Sequence, residues 1–136
     1  MRKNRLRELW AAGQAAVNGW VSVPSPYVAE VMSHQGWDGL TIDLQHGPID
    51  VPDAIPMLQA MSAGNAVPII RVPWNEPSVI MRCLDAGAYG IICPMINNRD
   101  DAERFVGACR YPPDGYRSNG AYRGTIYGGA DYLEHA

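Results

Sequence analysis

No apolar run in the chain approaches the ~20 residues that a membrane-crossing helix needs. The basic start, Arg2-Lys3-Asn4-Arg5, is not followed by an apolar segment of signal-peptide type. Cysteine is scarce. Cys83, Cys93 and Cys109 are odd in number and lack metal-type spacing, which argues against a disulfide framework and for buried thiols in a reducing cytoplasm. Excess positive charge is missing as well: a net charge of -3 leaves no electrostatic footprint for nucleic acid. The local cluster Arg2, Lys3, Arg5 and Arg7 is interleaved with Leu6, Glu8, Leu9 and Trp10, the pattern of a solvated helix face. Low-complexity tracts and long linkers are absent. What is present, 136 residues of which 47% are apolar and 18% charged, is the composition of one globular domain.

Strand and helix patterns alternate along that domain. Asn4–Ala12 reads as an amphipathic helix stopped near Gly13. Val17–Pro24 reads as a strand, and Ser25 caps a helix with Pro26 at its first position. Gly39-Leu40-Thr41-Ile42-Asp43-Leu44-Gln45 alternates apolar and polar faces, so it predicts a strand with two unlike environments, stopped by Gly47-Pro48. Helices are expected over 51–63, 77–85 and from Asn98 or Asp100 to Cys109. Further strands are expected over 67–73 and 89–95. Four such repeats imply βαβ units on a parallel sheet, either doubly wound or part of a (β/α)₈ barrel. No Gly-rich phosphate loop follows the first strand, and polar side chains gather at more than one strand tip, which favours the barrel. After Cys109 the polar, Pro/Gly-rich stretch 110–120 predicts a long loop over or beside the barrel mouth. Residues 121–129 stay glycine-rich and aromatic, and another helix starts near Asp131.

The chemistry gathers at these tips. Asp43 and His46, three apart around a bend, can face one mouth. A carboxylate that fixes its tautomer makes histidine a competent base near neutral pH, although an Asp capping the turn beside a packed His has the same spacing. Arg71, among Ile69, Ile70 and Val72, needs either an ion-pair partner, Asp43 or Asp85, or an anionic ligand such as a carboxylate or enolate. Asp85 ends a helix, where the dipole disfavours a carboxylate, and so calls for a specific partner, with His46 and Arg71 the candidates. Arg117 and Tyr116 read as solvated loop residues. Trp20, Trp37 and Trp74 read as core or rim aromatics, and His34 and His135 as surface residues.

Four segments, Ile42–Gly47, Arg71–Pro77, Leu84–Met95 and Arg110–Arg117, resemble in order and spacing the HpcH/HpaI aldolases, a family that includes hydroxy-oxo-heptanedioate and 2-keto-3-deoxy-glucarate aldolases. The resemblance implies a (β/α)₈ TIM barrel of the phosphoenolpyruvate/pyruvate superfamily, of which four βα units are present. It also implies metal-dependent class II cleavage of a 4-hydroxy-2-oxo acid to pyruvate and an aldehyde. The family's base histidine matches His46, with Asp43 and Asp85 in the supporting carboxylate positions, and its pyruvate-binding arginine matches Arg71. Gln45, where many relatives have Glu, and Trp20 join Arg71 as expected substrate contacts. The cofactor expected is a divalent ion, Mg²⁺, Mn²⁺ or Co²⁺. Its ligands in the family are a Glu and an Asp on the fifth and sixth strands, beyond residue 136, and Glu134 matches neither. A homo-oligomer, trimer or hexamer, is expected in the cytoplasm, with neither nucleic acid nor membrane as partner. The remaining alternatives are another carbon–carbon lyase or decarboxylase on the same barrel, or a non-catalytic half-barrel. The chain is expected to be the N-terminal part of a longer barrel and to be inactive alone.

Overall fold

The computed structural model describes residues 1–136. Four strands form one parallel sheet: β1 (Asn18–Val21), β2 (Gly39–Asp43), β3 (Val67–Arg71) and β4 (Gly90–Ile92), in the order β1-β2-β3-β4. Strand order equal to chain order is what a barrel requires. A doubly wound sheet would reverse direction at a switch point. Helices α2 (Pro26–Ser33), α3 (Val51–Met61), α4 (Pro77–Asp85) and α5 (Arg99–Cys109) follow the successive strands, and α1 (Arg5–Ala11) precedes them.

Local chemistry starts each helix. The Ser25 side chain accepts from the Val28 amide, and Pro26 stands at the first position, where its missing N–H is no loss. Asn98 accepts from the Asp101 amide at 2.9 Å. Asp53 accepts from the Asp50 amide at 3.0 Å at the start of α3, a helix that also carries Pro56.

One face of the sheet meets these helices. Leu40, Ile42, Ile70 and Val72 pack there with Met57, Leu58, Met61, Ile80 and Cys83, all buried. At roughly 1.5–3 kcal/mol per buried large aliphatic side chain, this layer supplies most of the driving force for folding. The other face is the barrel interior. There Asn18 Nδ2 donates to Thr41 Oγ1 at 2.9 Å, and Leu6 of α1 packs on Val67 and Ile69 near the strand starts. The half-barrel interior opens along the unpaired edge of β4 into a cavity of ≈ 640 Å³ lined by Ile69, Ile92, Phe105 and Tyr132 among others. No helix is long and apolar enough to cross a membrane.

Two expectations change, and one stretch gains a helix. The fourth strand is shorter than 89–95, because Pro94 has no amide to donate and Met95 turns to φ 57. Residues 121–129, read only as glycine-rich and aromatic, carry a helix: α6 spans Tyr122–Gly128, and α7 follows over Tyr132–His135, where a helix near Asp131 was expected. Gly124 and Gly128 let the Tyr132 ring seat on α6, since a Cβ at Gly128 would lie 2.6 Å from that ring. The loop 110–120 does not lie over the mouth. The Tyr116 amide donates to Gly107 O and the Arg117 amide to Arg110 O, both at 2.8 Å, which ties the loop to the C-terminal end of α5 at the floor.

Candidate active site

β2 and β3 end side by side, with Asp43 and Arg71 as register partners. This pairing assembles the mouth. Asp43 accepts from Arg71 Nε at 2.9 Å and from Nη2 at 2.6 Å, a two-pronged ion pair. The same carboxylate accepts from Trp20 Nε1 at 3.2 Å and from the backbone amides of Gln45 at 3.0 Å and His46 at 3.3 Å. The Arg71 guanidinium also lies over the Trp20 ring, 4.8 Å from its centroid. The paired guanidinium, with help from Trp20 and the two amides, holds the Asp43 carboxyl well below the usual carboxylate range despite its burial. Asp43 in turn raises the Arg71 guanidinium above its ordinary value.

Within the chain the expected Asp43–His46 contact runs through the backbone, as in the turn-capping alternative. Asp43 bonds the backbone amide of His46, and its oxygens are spent on Arg71, Trp20 and Gln45 as well. The residue therefore positions both the arginine and the turn that carries the histidine. His46 itself is exposed at the strand tip, and its ring makes no hydrogen bond within the chain. Gln45 is half-buried beside it. Arg71 spends its inner edge on Asp43. The remaining three of its five N–H donors make no hydrogen bond to the protein.

Asp85 finds a different partner within this chain. It lies at the end of α4, the opposite end of the strands from His46, and bonds neither His46 nor Arg71. Its partner is Arg117, whose Nη2 donates to Asp85 Oδ1 at 2.8 Å. Arg117 is not solvated: it is buried, donates Nη1 to the Tyr132 hydroxyl at 3.3 Å and lies 4.5 Å from the centroid of the Tyr111 ring. The misplaced charge at the C-terminal end of α4 was a sound signal that a partner existed. Nothing local identified Arg117 as that partner. No three His, Cys, Asp or Glu side chains converge in a metal-binding group.

Arg71 and His46, the arginine and histidine that the resemblance marked, both stand at this mouth. The sequence signature of the HpcH/HpaI aldolase/citrate lyase family matches residues 17–127. The chain belongs to that family. It is 43% identical over 133 residues to a hydroxypyruvate/pyruvate aldolase of Rhizorhabdus wittichii, covering 98% of this chain and 53% of that protein. It is 36% identical over 126 residues to a 5-keto-4-deoxy-D-glucarate aldolase of Salmonella newport, covering 92% and 49%. A crystal structure of an HpcH/HpaI aldolase/citrate lyase family protein from Burkholderia cenocepacia superposes with a TM-score of 0.89 at 36% identity, covering 98% of this chain and 56% of that one. The chain thus spans about half the length of the curated HpcH/HpaI relatives it matches, and its four strands are a partial TIM barrel.

Proposed function

We propose that the mouth binds a 2-oxo acid of the pyruvate type and that the complete barrel cleaves a 4-hydroxy-2-oxo acid to pyruvate and an aldehyde. The observation that carries this reading is Arg71, whose inner edge is held rigidly by Asp43 while its outer donors stay free beside His46. Fixed donors of that kind stabilise an oxygen on which charge develops. In the proposed step His46 takes the proton of the C4 hydroxyl and the C3–C4 bond breaks. The aldehyde leaves, and the electron pair becomes the enolate of pyruvate, whose oxygen faces Arg71. Protonation at C3 completes pyruvate. Trp20 fixes the guanidinium plane from its face, and Gln45 lines the adjoining turn.

The only lysine, Lys3, is an exposed residue of the N-terminal segment, so these residues offer no amine for a Schiff-base route at the mouth. A divalent ion enters this chemistry only with ligands supplied from outside these residues. The partners of this reading are small molecules, in a homo-oligomer of the cytoplasm. The exposed Tyr122 and Ile126 on α6 supply an apolar face that supports self-association.

The family's description also names citrate lyase, which favours a second reading: cleavage of a different carbon–carbon bond by the same pair of groups. Product analysis with a 4-hydroxy-2-oxo acid and, separately, with oxaloacetate distinguishes the two. Pyruvate and aldehyde from the first support the aldolase; turnover of oxaloacetate alone supports the second reading. In the complete enzyme His46→Ala is expected to lower kcat by ~10²–10⁴-fold, the usual worth of a general base. A kcat within a few-fold of wild type would remove His46 from the mechanism.

A further inference from the structure

Two arginines meet at the floor of the half-barrel, at the far end of the strands from His46. Arg2, ahead of α1, donates Nη2 to Gly64 O at 2.9 Å and Nη1 to Ser62 O at 3.5 Å. Its guanidinium lies 4.4 Å from the centroid of the Tyr127 ring. Arg123, on α6, donates Nη2 to Ser62 Oγ at 2.8 Å, while its Nε is buried without a partner. Neither forms an ion pair with any carboxylate of the chain. Together with Gln59, Ser62, Ile126 and Tyr127 they line a cavity of ≈ 370 Å³ that holds no acidic side chain.

The simplest account is that both arginines cap the C-terminal end of α3. That role is real but covers a minority of the charge. A helix terminus offers roughly half a negative charge, against two guanidinium groups. About 1.5 positive charges are left over. Burial without an acid partner pulls the Arg123 guanidinium below its ordinary value, in keeping with this deficit.

We propose that this floor cavity is a binding site for a dianionic oxyanion of the phosphate class, held between the guanidinium groups of Arg2 and Arg123. A phosphate group carries about −1.5 to −2 at pH 7, which matches the residual charge. A monocarboxylate or chloride would leave it half neutralised. Planar guanidinium forks also fit phosphate oxygens in pairs. The site is separate from the mouth and does not depend on the aldolase reading. Free inorganic phosphate and the phosphoryl group of a small phosphomonoester share this chemistry.

Thermal unfolding of the protein, titrated with inorganic phosphate and with sodium chloride at equal ionic strength, tests the site, because a ligand of the native state raises Tm by mass action. A saturable rise specific to phosphate is expected. It should persist in Arg71→Met, which removes the mouth's own cation. Arg123→Gln should weaken it about tenfold or more, the worth of one charge-assisted contact. Gln59→Glu, at an exposed position on the cavity wall, adds a carboxylate to the cavity that the arginines line. That variant should raise Tm without phosphate and abolish the response to it, and it guards against an Arg123 variant that fails to fold. Glycerol phosphate acting as well as inorganic phosphate identifies a phosphoryl group as the ligand, and inorganic phosphate acting alone identifies the free ion. The site is overturned if phosphate does no more than chloride, if Gln59→Glu keeps the response, or if Arg71→Met loses it.

Discussion

Asp43–Arg71 at the mouth and Asp85–Arg117 at the floor join the same two residue types at 2.6 and 2.8 Å, yet their burial is reversed. At the mouth the acid is buried, 3% exposed, and the arginine is 23% exposed. At the floor the arginine is buried, 2% exposed, and the acid is 27% exposed. A buried acid with an accessible arginine fixes a cation while leaving its outer donors to a ligand. A buried arginine with an accessible acid leaves the ligand nothing to meet, and the pair serves as an anchor. Arg117 is indeed enclosed by Tyr111 and Tyr132, and its main-chain amide ties the loop to α5. Residue types and separation alone do not distinguish a ligand-binding pair from a structural one. Which partner keeps its face to water does.

The reversal is broken or upheld first by stability. Removing Asp85 strands a buried guanidinium that already has an unpaired Nε, so Asp85→Ala should destabilise the fold by about 3–5 kcal/mol. Removing Arg71 leaves Asp43 with Trp20 and two backbone amides, and Arg71→Met should cost only about 1–2 kcal/mol. Urea unfolding of the two variants beside wild type makes the comparison. Equal losses, or a larger loss for Arg71→Met, would end the distinction between anchor and binding pair.

Ligand binding tests the other half. Arg71→Lys keeps the charge but loses the fork that grips Asp43 on one edge and faces the mouth on the other. Pyruvate affinity, measured by inhibition of the complete enzyme, should fall by about ten- to a hundredfold. Arg117→Lys should leave pyruvate affinity unchanged while lowering stability. Unaltered pyruvate inhibition in Arg71→Lys would make the mouth pair as structural as the floor pair.

The scaffold was legible in the sequence because it is written locally. Alternation in 39–45 marks a strand with two faces, and Ser25 and Asn98 announce helix starts. The strand-tip residues Asp43, His46 and Arg71 were legible for the same reason. Their partnerships were legible only in part: Asp43 stood as one of two candidate ion-pair partners for Arg71. Asp43 meets Arg71 through strand register across 28 positions, whereas the spacing of three made His46 look like its natural companion. Arg117 and Asp85 are 32 positions apart and joined only by the fold. α6 escaped notice because its glycines are a tertiary requirement: Gly124 and Gly128 look like breakers until Tyr132 is seen against them.

The smallest expected effect is a pH dependence, and it isolates the mouth acid. The Asp43 carboxyl titrates well below its unfolded value, first because of Arg71. A carboxylate depressed in this way contributes stability that is complete above the unfolded value of about 4 and is lost as pH falls below it. Protons then bind the unfolded chain more readily than the folded one. Between roughly pH 4 and 2, wild type should lose stability faster than Asp43→Asn, by a slope difference of at most about 1.4 kcal/mol per pH unit. Above pH 5 the two slopes should coincide, although the variant starts from a lower stability because its amide replaces the charge that Arg71 needs. Urea unfolding at half-unit pH steps reads both slopes. Parallel acid limbs would mean that Asp43 titrates alike in both states, and that the clamp on Arg71 is weaker than its 2.6 and 2.9 Å contacts require.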